Sequence, residues 1–138
     1  MPGWTRVGRR MQRRMAASAA PFLAANERLR IGLFAQDTPI RGRPLLFMSL
    51  ANRVGHLVIG ATDRRIYVFS RGFLANGKVR GVLRIYPLGS TPVRFRRGWG
   101  ELTIGPDRYW ISALAAQGDA QDFVALVTDQ GSYREARP

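Results

Sequence analysis

Hydrophobic positions recur at two different spacings along the 138-residue chain. Between residues 4 and 20 they fall three and four apart. Trp4, Val7, Met11, Met15 and Ala19 therefore share one face of a helix. Arg6, Arg9, Arg10, Arg13 and Arg14 take the flanks and the far side, and Pro21 ends the helix. The period then drops to two. Leu29, Ile31, Leu33 and Ala35 alternate with Arg30, Gly32 and Phe34, a strand signal. The Pro and Gly content of residues 37–44 marks a loop, and Leu45–Ala51 is a continuous apolar run that suits a short helix or a buried strand.

A strand pair follows. Leu57-Val58-Ile59 and Ile66-Tyr67-Val68-Phe69 are rich in β-branched and aromatic residues, with the polar turn Thr62-Asp63-Arg64-Arg65 between them. Residues 71–78 read as a turn and Val79–Leu88 as a further strand. Val93–Arg97, Glu101–Ile104 and Tyr109–Ala113 read as three short strands separated by Gly98-Trp99-Gly100 and Gly105-Pro106-Asp107. Near the end, Ala120, Phe123, Val124 and Val127 share a helical face, which predicts a helix over Asp119–Asp129 capped by Asp119. The predicted architecture is mainly β, in the α+β class: a bent antiparallel sheet of six to seven strands closed by a C-terminal helix. The expected divisions are a basic helical segment at 1–21, a β domain at 22–130 and a polar tail at 131–138.

Composition narrows the chemistry. With no cysteine, disulfides, thiolate metal sites and a cysteine nucleophile are excluded, and a reducing compartment fits. His56 is the only histidine, so a zinc site built on several imidazoles cannot form, and no acid or hydroxyl completes a triad around it. Asp107, Asp119 and Asp122 are too scattered for a calcium loop, and Gly98-Trp99-Gly100 lacks the rest of a phosphate loop. The expectation is a non-enzyme with no cofactor and no metal.

Charge points instead to binding. The net charge is +13, and it is uneven: residues 1–26 carry five Arg and no acid, whereas residues 109–138 are net acidic. Such a surplus favours anionic partners. The dominance of Arg over Lys alone would follow from a GC-rich genome, but the scarcity of acids would not. No apolar run reaches the ~20 residues that span a bilayer, and Ser18 and Pro21 interrupt any secretory or transit pattern at the N-terminus. The candidate anion- or membrane-binding residues are Trp4, Arg6, Arg9, Arg10, Arg13 and Arg14 on the first helix, Arg41 and Arg43 in the following loop, and Arg94, Arg96 and Arg97 interleaved with Phe95. The expected partner is an anionic lipid surface or an acidic protein, at the inner face of the membrane or in the cytoplasm. Nucleic acid and a place in a larger assembly are the alternatives.

Two stretches carry a resemblance. Pro21-Phe-Leu-Ala-Ala-Asn-Glu27 is similar to the opening of the bacterial pleckstrin-homology-like families, and Gly60-Ala-Thr-Asp-Arg-Arg-Ile-Tyr-Val-Phe69 resembles their Thr-Asp-Arg-Arg signature before an apolar strand. Trp99–Gly105 and the closing helix match in order, and Thr38–Ala51 looks like the apolar insertion of similar actinobacterial proteins. The resemblance covers roughly residues 22–130. It implies a split barrel capped by a helix, and binding without catalysis. It implies no fixed ligand.

Overall fold

A computed structural model describes residues 8–37, 56–71, 78–96, 100–111 and 117–136, with side chains to Thr128 in the last segment. The chain opens with helix α1, Arg9–Ala19, followed by a 3₁₀ turn at Ala20–Phe22 where Pro21 occupies an early position. Seven strands follow: β1 Ile31–Gln36, β2 His56–Ala61, β3 Arg65–Arg71, β4 Val79–Pro87, β5 Val93–Arg96, β6 Glu101–Ile104 and β7 Asp107–Trp110. Helix α2, Gln117–Ala136, closes the chain.

The seven strands form one sheet in the order β4-β3-β2-β1-β7-β6-β5, with all pairs antiparallel. This is the mainly β, α+β architecture that the hydrophobic pattern predicts, and it is consistent with a pleckstrin-homology-like fold. Strands β1 and β2 pair from Ile31 opposite Ala61 to Gln36 opposite His56, whereas β1 meets β7 only at Gln36 opposite Trp110. The sheet is strongly bent. β4 and β7 have three strands between them in the order, yet the Tyr86 hydroxyl of β4 donates to Asp107 of β7 at 2.6 Å. Tyr86 and Tyr109 hydroxyls lie 2.6 Å apart and Arg84 reaches the same carboxylate at 3.0 Å.

The inner face of the sheet is covered by α2, and the outer face is covered in part by α1. On the inner face Leu33, Ile59, Val68, Leu102 and Ile104 pack with Ala120, Phe123 and Val127 of α2. Phe123 is fully buried, as its helical face predicts. On the outer face Met15 and Ala19 of α1 pack with Val58, Tyr67, Phe69 and Val79. Strand β1 is therefore enclosed on two sides, and the alternate positions Gly32 and Phe34 are covered too.

Several boundaries differ from the pattern. β1 starts at Ile31 rather than Leu29. β7 starts at Asp107, because the preceding hairpin turn has only two residues, Gly105 and Pro106, with Ile104 opposite Asp107. Gly105 has φ +58, which suits the first turn position, and proline fixes the second. α2 begins at Gln117 and runs through Ala136, so Asp119 sits inside the first turn and most of the expected polar tail is helical. Trp4 and Val7, the loop with the Leu45–Ala51 run, and the Gly98-Trp99 turn lie outside the described residues.

A basic surface left open by internally paired acids

Among the described residues, Glu27, Glu101, Asp107 and Asp119 are engaged within the fold. Glu27, ahead of β1, is buried and holds the β2–β3 turn. Its carboxylate accepts from the Thr62 hydroxyl at 2.8 Å, the Tyr67 hydroxyl at 2.6 Å and the Ala24 amide at 3.1 Å, and pairs with Arg65 at 3.3 Å. Burial pushes the Glu27 carboxyl up, but the bonds from Tyr67, Thr62 and Ala24 and the Arg65 charge together hold it below the ordinary range. Thr62 Oγ1 also accepts from the Arg64 and Arg65 amides at 3.1 Å, so this side chain builds the turn. Arg65 is drawn into the network and is not simply solvated. The segment ahead of β1 and the β2–β3 turn thus meet in space through Glu27. Asp107 is taken by Tyr86 and Arg84, and Asp119 accepts from Gln12 at 3.4 Å.

Among the described residues the arginines of α1 have no such partners. Arg9, Arg10, Arg13 and Arg14 are all exposed. They occupy the face opposite Met15 and Ala19, as i, i+4 spacing requires. Where α1 passes the start of β4, Arg14, Ala17, Ser18 and Lys78 line an open cleft of about 590 Å³. α1 is fixed to the sheet by its polar residues as well. Gln12 accepts from the Gly32 amide at 3.0 Å and donates to the Gly32 carbonyl at 2.9 Å, bonding the edge of β1 where β7 has diverged. Ser18 accepts from the Val79 amide at 3.0 Å. The approach is close: a Cβ on Gly32 would lie 2.9 Å from Met15 Sδ, so the buried Met15 side chain would have to shift.

A second basic area lies on the outer face of β5–β7. Alternation along β5 leaves Arg94 and Arg96 exposed while Val93 and Phe95 pack toward the core. Strand register extends the area across the sheet: Arg94, Thr103 and Arg108 form one row, and Arg96, Glu101 and Trp110 the next. Glu101 pairs with both Arg96, at 3.6 Å, and Arg108, at 3.5 Å, so two arginines share one carboxylate. Arg108 and Trp110 are absent from the sequence-based candidates. Their signal was the alternation of Asp107 and Tyr109 with Arg108 and Trp110, readable only once β7 is known to begin at Asp107. Trp4, Arg6, Arg41, Arg43 and Arg97 lie outside the described residues, so nothing places them with either group.

His56 opens β2 at half-burial, and its imidazole is held below the ordinary range by burial and then by Arg71, with Asp37 opposing. No group of three or more potential metal ligands occurs among the described residues, and no helix among them is long and apolar enough to cross a membrane. No family model, no curated protein and no solved structure matches the chain.

Proposed function

We propose that this chain is a non-catalytic binding module, pleckstrin-homology-like in kind, that presents an arginine surface to an anionic partner, in the first place a membrane surface rich in anionic headgroups. The observation that carries the reading is the exposed row of Arg9, Arg10, Arg13 and Arg14 on α1, beside a cleft lined by Arg14 and Lys78. The apolar stripe of α1 supports the manner of binding. Met15 and Ala19 are spent on the sheet, so the docked helix offers charge to a surface and little apolar area for insertion. An acidic protein would meet the same charges. Nucleic acid is the second reading, favoured by the face on which strand register puts Trp110 in one row with Arg96 and Glu101, beside the row of Arg94 and Arg108.

The test is co-sedimentation of the full chain with vesicles containing about one third phosphatidylserine, beside neutral vesicles and single-stranded DNA and RNA, at two salt concentrations. The expected result is binding to anionic vesicles only, weakening as salt rises. Changing Arg9, Arg10, Arg13 and Arg14 to Gln should weaken it by at least about tenfold with the melting temperature unchanged. Binding that survives this change, or preference for nucleic acid that depends on Arg94, Arg96 and Arg108, would overturn the membrane reading.

A further inference from the structure

Strand β4 is an edge of the sheet, and no other strand among the described residues pairs with its outer side. Among the described residues it also carries three of the four exposed large hydrophobic side chains. Leu83 is 57% exposed, Ile85 52% and Val82 36%. Register sorts these side chains. Ile85 is opposite Tyr67 and Val82 opposite Phe69, so both lie on the outer face, in line with Val79, which α1 covers. Leu83 falls at the bulge between the Val68 and Phe69 pairings and turns toward the inner side, where it lines a cavity of about 240 Å³ with Leu57, Val68 and Tyr109. The outer stripe reaches Phe22, which is 38% exposed and packs against Phe69. Beyond the Val79 amide, which Ser18 holds, the edge thus has no strand partner among the described residues and carries aliphatic side chains on both of its faces.

We propose that the β4 edge is a docking site for an extended segment of a partner protein in which apolar residues alternate with acids, added to the sheet as an eighth strand. Strand addition supplies backbone hydrogen bonds, and alternate side chains of the segment meet Val82 and Ile85 on one face and Leu83 on the other. Charge selects the acidic class. Arg80 is exposed on β4, and Arg64, whose carbonyl accepts from the Leu88 amide, is exposed beside its C-terminal end, whereas the charge of Arg84 is already paired with Asp107. The same charges disfavour a second copy of this chain, because pairing two β4 edges would bring like charges together between molecules of net charge +13. This surface is distinct from the α1 face, so a molecule could engage both partners.

The probes are three nine-residue peptides, alternating Val-Glu, alternating Val-Lys and alternating Ser-Glu, titrated to millimolar concentration into the isotopically labelled full chain. The Val-Glu peptide should shift amide resonances of residues 80–87, with the other two binding at least tenfold more weakly. Ile85→Lys and Leu83→Lys, at exposed positions, should each weaken binding by at least tenfold while the melting temperature and the spectrum elsewhere stay unchanged. Arg80→Glu should weaken it several-fold and restore some binding of Val-Lys. No shift at β4, equal binding of the Ser-Glu peptide, or binding that Ile85→Lys leaves intact would overturn the proposal. So would a concentration-dependent dimer that Ile85→Lys abolishes, which would assign the edge to a second copy.

Discussion

At the residue scale, Glu27 ties the segment before β1 to the β2–β3 turn. Replacing it with Ala would strand the Thr62 and Tyr67 hydroxyls inside the fold, where a lost partner costs about 1–3 kcal/mol. Its depressed carboxyl also makes stability pH-dependent. A group whose folded pKa lies below its unfolded value stabilises the fold above the unfolded value, about 4.3 for Glu, and that contribution is lost as pH falls through the lower folded value. Denaturant melts between pH 5 and pH 2 should therefore show a loss of stability that is shallower in Glu27→Gln, which has no proton to gain. An unchanged slope would assign the acid sensitivity to other carboxylates. The turn itself was legible in Thr62-Asp63-Arg64-Arg65, whose residue types favour it. Its partner was not, because Glu27 lies 35 residues from Thr62 and no local periodicity links them.

At the scale of elements, α1 is part of the folded domain. The stripe at Met11, Met15 and Ala19 was legible, but spacing alone could not say whether sheet, membrane or partner covered it. Only the three-dimensional packing of Met15 and Ala19 on Val58, Tyr67, Phe69 and Val79 settles the matter. Met15→Ala should cost about 2–4 kcal/mol, the range for emptying a buried Met site, and Gln12→Ala about 1 kcal/mol for its bonds to Gly32. Removing residues 1–20 should lower the melting temperature by more than either change. A truncated protein that melts like the full chain would refute the packed position of α1. For α2, Phe123→Ala should cost about 3–5 kcal/mol, read by the same melts. The face through Ala120, Phe123 and Val127 was plain from helical spacing, whereas the helix end at Ala136 was not, because residues 131–136 carry no apolar stripe to mark it. On β4 the pattern gave the strand but not its burial. Val82, Leu83 and Ile85 have the composition of a core strand, but an edge position and a bulge leave them in solvent.

For the whole molecule, the distribution of charge follows from how the acids are used. Glu27, Glu101, Asp107 and Asp119 each hold two parts of the fold together, so much of the negative charge is engaged within it and the arginines outside dominate the field. Attraction between such exposed charges and an anionic surface should fade as the Debye length contracts from about 10 Å at 0.1 M salt to about 3 Å at 1 M. The bonds of Gln12 to Gly32 carry a different consequence. The Gly32 amide is held by a side chain of α1 rather than by a neighbouring strand, so its hydrogen can exchange with solvent whenever the helix lifts, without the sheet opening. Amides within the β2–β3 ladder should exchange only in larger openings. The exchange rate at Gly32, set against that at Ile59 or Val68, would therefore measure the free energy that holds the N-terminal helix down. The same rate followed in the presence of anionic vesicles would report whether the helix binds them in place or leaves the sheet to do so.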